Sequence, residues 1–431
     1  MRKLASLLCL LTVITIIGTS VPLPDSAIGS IAKIASLPAL TIWFIAVIST
    51  GSIRRPHPLH YAFLLFIIWS VCSVTWSLDP PSTLAQDLRY IQSFVMCLML
   101  WDLFRDEESA RKLLYAMAIG GLLAILGTLW SAKTDTTQNA GLAGRYSGFG
   151  YNPNDIGLVL AVCLPLAWYL ALRTTMAPFL VKAIGLVFPL GVMASVVFAA
   201  TRGGLVAAIP GFLYVLLKIP ALGRTQKICC ACALLLGLFA FTRIDVSTQL
   251  QRLGSVSDRG NSDKLTGRGQ IWALAAHEFT ANPIVGIGDG AFPTVSDSHG
   301  IRNEDAGGLT GVVVHNTYLS VLCQLGVVGF VLFFACVAIS MLSLVANKPD
   351  AWVALMMACC AWLIGVGSLT FEYRAQTWLL FSLCIVCANA VRSRPISEPI
   401  PDNSMGLGLH PGIPAGLVSR SDSGLSLPYK R

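Results

Sequence analysis

Three residues in this chain have the type and placement to carry chemistry at an apolar boundary: Arg202, Arg268 and His315. Arg202 lies in Ala199-Ala200-Thr201-Arg202-Gly203-Gly204, between two apolar runs with almost no loop to separate them. A permanently charged planar fork at such a mouth suits phosphate better than it suits lipid. The two glycines behind it would let a ligand approach the backbone, and a helix N-terminus starting there would favour an anion. The plainer alternative is an arginine that snorkels to the headgroups. Arg268 belongs to Gly267-Arg268-Gly269-Gln270-Ile271-Trp272. His315 begins His315-Asn316-Thr317-Tyr318-Leu319, where a long polar interval meets the next apolar run. An imidazole at that junction, within reach of two arginines, can take a proton from a hydroxyl, and activity would then rise with pH through the ordinary histidine range. Asn316 either caps the helix that follows or joins the site.

A second stretch of the same kind is Gly144-Arg145-Tyr146-Ser147-Gly148-Phe149-Gly150-Tyr151-Asn152-Pro153-Asn154-Asp155. Turn chemistry, with Asn154 or Asp155 capping the next helix, explains every residue in it except Arg145 and Tyr146. Those two are therefore candidate substrate-binding residues. His277, His299 and His315 do not have zinc spacing, and no metal or other cofactor is expected. Gly286-x-Gly288-x-Gly290 lacks the spacing of a dinucleotide loop, so a tight turn that returns the chain to its scaffold is the better account.

The elements that must position these residues are membrane helices. Of the 431 residues 55% are hydrophobic and 12% charged, about half the charge of an average soluble domain. The charges fall in short breaks between apolar runs of roughly 17 to 25 residues, the length that crosses a bilayer as a helix. The runs are 4–18, 31–50, 59–76, 88–104, 110–130, 156–173, 178–200, 203–218, 227–242, 316–346, 351–370 and 376–392. The expected fold is an all-α polytopic membrane protein with about 12 transmembrane helices and one long, partly helical periplasmic loop. Residues 1–242 carry the first nine spans, 243–315 the loop, 316–392 the last three spans, and 393–431 a Pro-, Gly- and Ser-rich disordered tail. Arg2-Lys3 and the run after them could be a secretory signal, but no small-x-small cleavage site follows cleanly, so a first span is preferred.

Basic residues of the short loops set the orientation. Placing both termini in the cytoplasm gathers Arg2, Lys3, Arg54, Arg55, Arg105, Arg111, Lys112 and their later counterparts inside. The short outer loops keep Lys133, Arg145, Arg202 and Arg374. The net charge of +8 then reflects inner loops meeting anionic lipid, and no basic stripe with interleaved aromatics argues for nucleic acid. All thirteen cysteines lie in apolar runs, which excludes a disulfide framework for the loop, and Cys384-x-x-Cys387 reads as small buried hydrophobes rather than a redox pair. Within the loop, Thr266 can cap a helix whose apolar stripe is Ile271, Trp272, Ala275 and Phe279, ended by Asn282-Pro283. Arg268 would then occupy its first turn, an unfavourable place for a cation that a nearby anion would relieve.

These stretches, together with Asn282-Pro283-Ile284-Val285-Gly286-Ile287-Gly288 and Gly326-Val327-Val328-Gly329, resemble the motifs of the O-antigen ligase and polymerase superfamily. The resemblance implies a metal-independent glycan transferase of the bacterial inner membrane. It would move a saccharide from an undecaprenyl-diphosphate carrier to an acceptor hydroxyl on the periplasmic side. The arginines matching Arg202 and Arg268 would hold the diphosphate, and the histidine matching His315 would activate the hydroxyl. Acceptors in the superfamily are lipid A core for ligases, another lipid-linked glycan for polymerases, or a protein hydroxyl for O-oligosaccharyltransferases. A ligase-like role fits the single late loop best. The non-enzymatic alternative is a polysaccharide flippase or exporter, against which stands the scarcity of charge in mid-span.

Overall fold

The structure, a computed structural model, describes residues 1–20, 31–136, 144–173, 179–224, 227–228, 231, 263–302 and 311–390. Most of the span expected at 227–242, the loop residues 243–262 and 303–310, and the tail at 393–431 lie outside the described residues. The described chain is helical: α1 (Arg2–Gly18), α2 (Ile31–Thr50), α3 (Pro58–Ser73), α4 (Pro80–Leu103), α5 (Glu107–Thr134), α6 (Pro153–Arg173), α7 (Phe179–Phe198) and α8 (Arg202–Lys218). There follow α9 (Asp263–Ala281), α10 (Phe292–Ser298), α11 (Thr317–Asn347), α12 (Trp352–Gly365) and α13 (Ala375–Ala390). Among the described residues there is no strand, only one isolated bridge between Arg302 and Gly311. Every expected apolar run except 227–242 thus carries a helix. Three helical stretches, Glu107–Thr134, Pro153–Leu172 and Thr317–Asn347, are long and apolar enough to cross a membrane, and five further apolar helices are shorter.

Local chemistry sets several of the helix starts. Asp79 caps α4 by accepting from the Ser82 N–H at 3.1 Å, and Asp106 with Ser109 forms a reciprocal capping box at the start of α5. Tyr61, Leu64, Leu65, Ile68 and Val71 leave one face of α3 exposed and apolar, which a lipid environment requires and water would penalise. The opposite face packs aromatic against aromatic: Phe63 stacks on Trp378 of α13 with ring centroids 3.4 Å apart, and Phe66 and Phe333 close on the same indole. At one end of the bundle Asp102 of α4 is buried. It accepts from the Trp43 indole and the Arg54 N–H and is paired with Arg2 at 3.6 Å and with Arg105. Arg54 also lies 3.5 Å over the Trp101 ring.

The opposite end carries the loop. Helix α9 lies on the bundle, with Ile271 and Ala275 buried and Trp272 and Phe279 packed beside them, and it ends before Asn282-Pro283 as its sequence predicts. Its start differs from the expectation. The helix begins at Asp263, so Thr266 lies inside it and does not cap it, and Arg268 falls in the second turn rather than the first. The dipole penalty invoked for Arg268 is correspondingly weaker, because that field fades within the first turn.

Beyond α9, Gly286, Gly288 and Gly290 all adopt positive φ and make the expected tight return. This turn meets a break in α11, where Gly326 has φ 66° and ψ −170°. The two backbones touch directly. A Cβ on Gly326 would lie 2.1 Å from the Ile284 carbonyl oxygen, and one on Gly286 would lie 2.4 Å from that of Gln324. The hydrogen bonds released by the break are satisfied across the contact: Val327 donates to the Pro283 carbonyl at 2.9 Å, Ile287 to that of Cys323 at 3.0 Å, and the Trp69 indole to that of Leu325 at 2.9 Å. After the break the remaining helix, Val327 to Asn347, is about 31 Å long, the thickness of a hydrocarbon core.

Replacing Gly326 by alanine should therefore cost about 2–4 kcal/mol of stability, through left-handed strain and backbone overlap together. Gly269, on the exposed side of α9 with open space around it, is the control. Gly269→Ala should stabilise by about 0.5–1 kcal/mol. Thermal unfolding of the two detergent-solubilised variants checks this, and equal midpoints would contradict the account.

Candidate active site

The segment between α12 and α13, residues 366–374, is the piece against which the predicted site residues are assembled. Thr317, in the first turn of α11, holds it with one hydroxyl that donates to the Leu369 carbonyl and accepts from the Phe371 N–H, both at 2.8 Å. Thr377 and Trp378 of α13 donate to the carbonyls of Phe371 (2.7 Å) and Glu372 (2.9 Å). The His315 N–H donates to the Thr370 hydroxyl at 2.8 Å. His315 itself has φ 53°, a left-handed conformation uncommon for a residue with a side chain. Its neighbour Asn316 caps α11 by accepting from the Leu319 N–H at 3.1 Å, which gives the side-chain oxygen of Asn316 a helix-capping task.

Arg268 reaches the same place through α9. One turn beyond it on the same helix face, the Trp272 indole donates to the Val314 carbonyl at 3.0 Å, which fixes that face against the residue preceding His315. The imidazole feels the Arg268 charge. Burial first, and then the guanidinium, push the pKa of His315 down to about 4. Burial likewise lowers that of Arg268. The imidazole is neutral across the physiological range, with a free nitrogen lone pair, and the expected ordinary histidine range for an activity limb is corrected downward for the free protein.

Arg202 arrives from a third direction. Thr201 caps α8 by accepting from the Gly204 N–H at 3.2 Å, and Arg202 is exposed in the first turn. The space beside Gly203 and Gly204 is occupied by protein, which corrects the expectation of a ligand approaching there. A Cβ on Gly203 would lie 2.5 Å from the Ser368 hydroxyl, and one on Gly204 would lie 2.8 Å from the Gly157 Cα of α6. The glycines instead let α6, α8 and the 366–368 turn close together, which sets Arg202 beside the segment that holds His315.

Arg145 and Tyr146 are engaged differently. Arg145 donates to the Ala199 carbonyl (3.0 Å) and to the Asn154 side chain (2.7 Å), and Tyr146 donates its hydroxyl to Asp135 at 2.6 Å. Arg145 thus ties the 144–155 segment to the end of α7, and the Tyr146 hydroxyl ties it to the end of α5. The cap of α6 is Asn152, whose side chain accepts from the Asn154 N–H at 2.9 Å, so neither Asn154 nor Asp155 is the cap. Asp155 pairs with Arg374 at 3.1 Å.

Two acids that the sequence left unremarked lie behind these residues. Glu372 accepts from the Ser320 hydroxyl at 2.7 Å, and Asp289, on the glycine turn, accepts from that of Ser70 at 2.9 Å while its N–H donates to Ser73. Gln324 links the two regions, since its amide donates to Ser320 at 2.8 Å and accepts from the Phe292 N–H at 3.4 Å. Both carboxyls are buried, and burial pushes each pKa up to about 7. For Asp289 the neighbouring charge of Glu372 adds to the shift. Asp289 was detectable only as an acid between two glycines, and Glu372 as a lone acid between two apolar runs.

A carboxyl whose pKa is higher in the folded state adds stability that is complete below its unfolded value, near 4, and is lost as pH rises through about 7. Asp289→Asn keeps the shape and the Ser70 contact but removes the ionisation. Its thermal midpoint should vary less than that of the wild type between pH 5 and pH 8, with its gain at pH 8. Parallel pH profiles for the two proteins would remove Asp289 from the pH dependence.

Residues 184–334 match the family model described as O-Antigen ligase, while no curated protein matches the chain. The matched stretch runs from α7 into α11 and contains Arg202, Arg268 and His315, whereas Arg145 and Glu372 fall outside it. The matched stretch and the helical architecture of the described residues support the O-antigen ligase-like superfamily that the motifs resemble: a membrane protein with an O-antigen ligase domain at residues 184–334.

Proposed function

We propose that the chain is a ligase-type glycan transferase of the bacterial inner membrane, with both termini cytoplasmic. It takes a saccharide from an undecaprenyl-diphosphate carrier and joins it to an acceptor hydroxyl at the periplasmic face, lipid A core being the acceptor a ligase implies. The observation that carries the proposal is the neutral imidazole of His315 set beside the Arg268 guanidinium. This arrangement supports a reading in which a proton acceptor acts next to a phosphate-binding cation, as an inverting transfer needs and a purely structural histidine does not.

In the reaction the acceptor oxygen forms a bond to the anomeric carbon as the bond from that carbon to the diphosphate oxygen breaks on the opposite face. The hydroxyl proton passes to the imidazole. The electron pair leaves with undecaprenyl diphosphate, whose new charge is met by Arg268 and Arg202. The resulting imidazolium returns its proton to solvent. A base with a pKa near 4 is a weak one, but the weakness belongs to the free protein. A bound dianion offsets the Arg268 charge that helps to depress it, so the donor itself raises the basicity of His315. A polymerase would use the same steps with a lipid-linked glycan as acceptor, and an O-oligosaccharyltransferase with a protein hydroxyl.

Two measurements test the assignment. His315→Ala should retain donor binding and lose about 10²- to 10⁴-fold in transfer by the reconstituted protein. Arg268→Lys and Arg202→Lys should bind donor poorly, because an ammonium lacks the bidentate fork. In the wild type, kcat/KM should rise through a limb near pH 4, the value of the free protein. The limb in kcat should lie at higher pH, because it reports the donor-bound state. Coincident limbs would exclude the coupling between donor and base, and unchanged transfer by the alanine variant would remove His315 from the mechanism. Supplying lipid A core, lipid-linked glycan or a peptide in the same assay identifies the acceptor.

A further inference from the structure

Arg89 is the second residue of the run 88–104 expected to be a span, about 14 Å along α4 from the start of that helix. It is exposed, donates to the Gln86 side-chain oxygen at 3.0 Å, and lies 5.3 Å from the ring centre of Tyr373. Neither partner carries a negative charge. Arg374 shares the same ring at 5.1 Å; it is paired with Asp155, and its Nε is buried without a hydrogen-bond partner among the described residues. Two guanidiniums and one carboxylate leave an unbalanced positive charge on the side of a helix bundle. An exposed arginine at the edge of a span sits at the headgroup level, and the anions on offer there are lipid phosphates.

We propose that Arg89, Tyr373 and Arg374 form a lateral binding site for the diphosphate of a polyprenyl lipid, passed through on its way between the bilayer and the catalytic residues. The position supports that direction of travel. Tyr373 and Arg374 end the 366–374 segment whose beginning touches Gly203 and His315, so a diphosphate received at Tyr373 is already at the edge of the site. Glu372, one residue away, is held protonated up to about pH 7 and so offers little repulsion to an approaching anion. Two forks on one ring suit two linked phosphates better than a single phosphodiester. The inference rests on the lipid-diphosphate reading above and concerns residues outside its chemistry.

The test uses the full chain in nanodiscs with farnesyl diphosphate as the probe, comparing wild type with Arg89→Gln and Arg89→Lys. Arg89 is exposed, so neither change threatens the core. The Kd for farnesyl diphosphate should rise about tenfold in the glutamine variant, the usual effect of losing one charge-assisted contact, and less in the lysine variant. Farnesol, which lacks the diphosphate, should bind the two proteins equally. In transfer assays with a lipid-linked glycan, Arg89→Gln should raise KM and leave kcat within about twofold, which separates it from the loss of kcat expected for His315→Ala. Equal farnesyl diphosphate binding by wild type and Arg89→Gln would overturn the proposal. Displacement of the probe by phosphatidylglycerol as readily as by undecaprenyl diphosphate would also overturn it, making the pair an anchor for bulk headgroups. Because the binding measurement needs no turnover, a protein that binds the probe through Arg89 yet transfers no glycan would sink the transferase reading and leave this site standing.

Discussion

Where a chain leaves helical form at the edge of a bilayer, every N–H and C=O it exposes must find a partner inside the protein, since lipid supplies none. The 366–374 segment is such a place, and the hydroxyl of Thr317 answers for two of its backbone groups at once. The consequences spread from there. With the segment fixed, Thr370 can hold the N–H of His315 and Ser368 can lie against Gly203. Arg202 and His315, 113 positions apart in sequence, thereby acquire a common reference that neither helix would provide alone. Arg268 is added by α9 through the indole of Trp272.

Charge is arranged around that frame with one sign in front and none behind. Arg202 and Arg268 supply permanent cations, His315 is neutral, and the buried carboxyls of Glu372 and Asp289 stay protonated until about pH 7. Ionised acids behind the 366–374 segment would have added negative charge that opposes an anionic ligand. Burial, which is usually counted as a cost, here keeps the acids as hydrogen-bonding neighbours without their charge.

The helical architecture could be read in the sequence, and so could the places of Arg202, Arg268 and His315 at the breaks between runs, for a physical reason. Membrane spans need long apolar runs, and a charge that interrupts such a run stands out against them. The same contrast hid other features. Arg89 is the second residue of a run and gives no break in it, and Glu372 sits in a short outer loop where Arg374 is the residue that sets orientation. Thr266 satisfies the rules for a cap but is overruled because α9 begins earlier. The glycines after Arg202 look like room for a ligand, and only the packed structure shows that Ser368 and Gly157 fill it. Sequence records where a side chain is missing and leaves open what moves into the space. The protonation of Asp289 and Glu372 depends on burial created by segments far apart in the chain, so no local pattern could reveal it.

The ties of α1 bear on how such a chain is made. The carbonyl of Ile16 at one end of α1 accepts from the Tyr151 hydroxyl at 3.0 Å and from the Gln376 side chain at 3.0 Å, across 135 and 360 positions. At its other end Arg2 reaches Asp102. Helix α1, made before its partners, therefore waits for α4 to anchor its start and for α13 to complete the anchoring of its end. Until then α1 is held by its packing on α5, where a Cβ on Gly120 would lie 2.6 Å from that of Ile17, and its last turn lacks only the bond from Gln376. A chain truncated before α13 would lose more than a helix, since the carbonyl of Ile16 would lose one of its two partners.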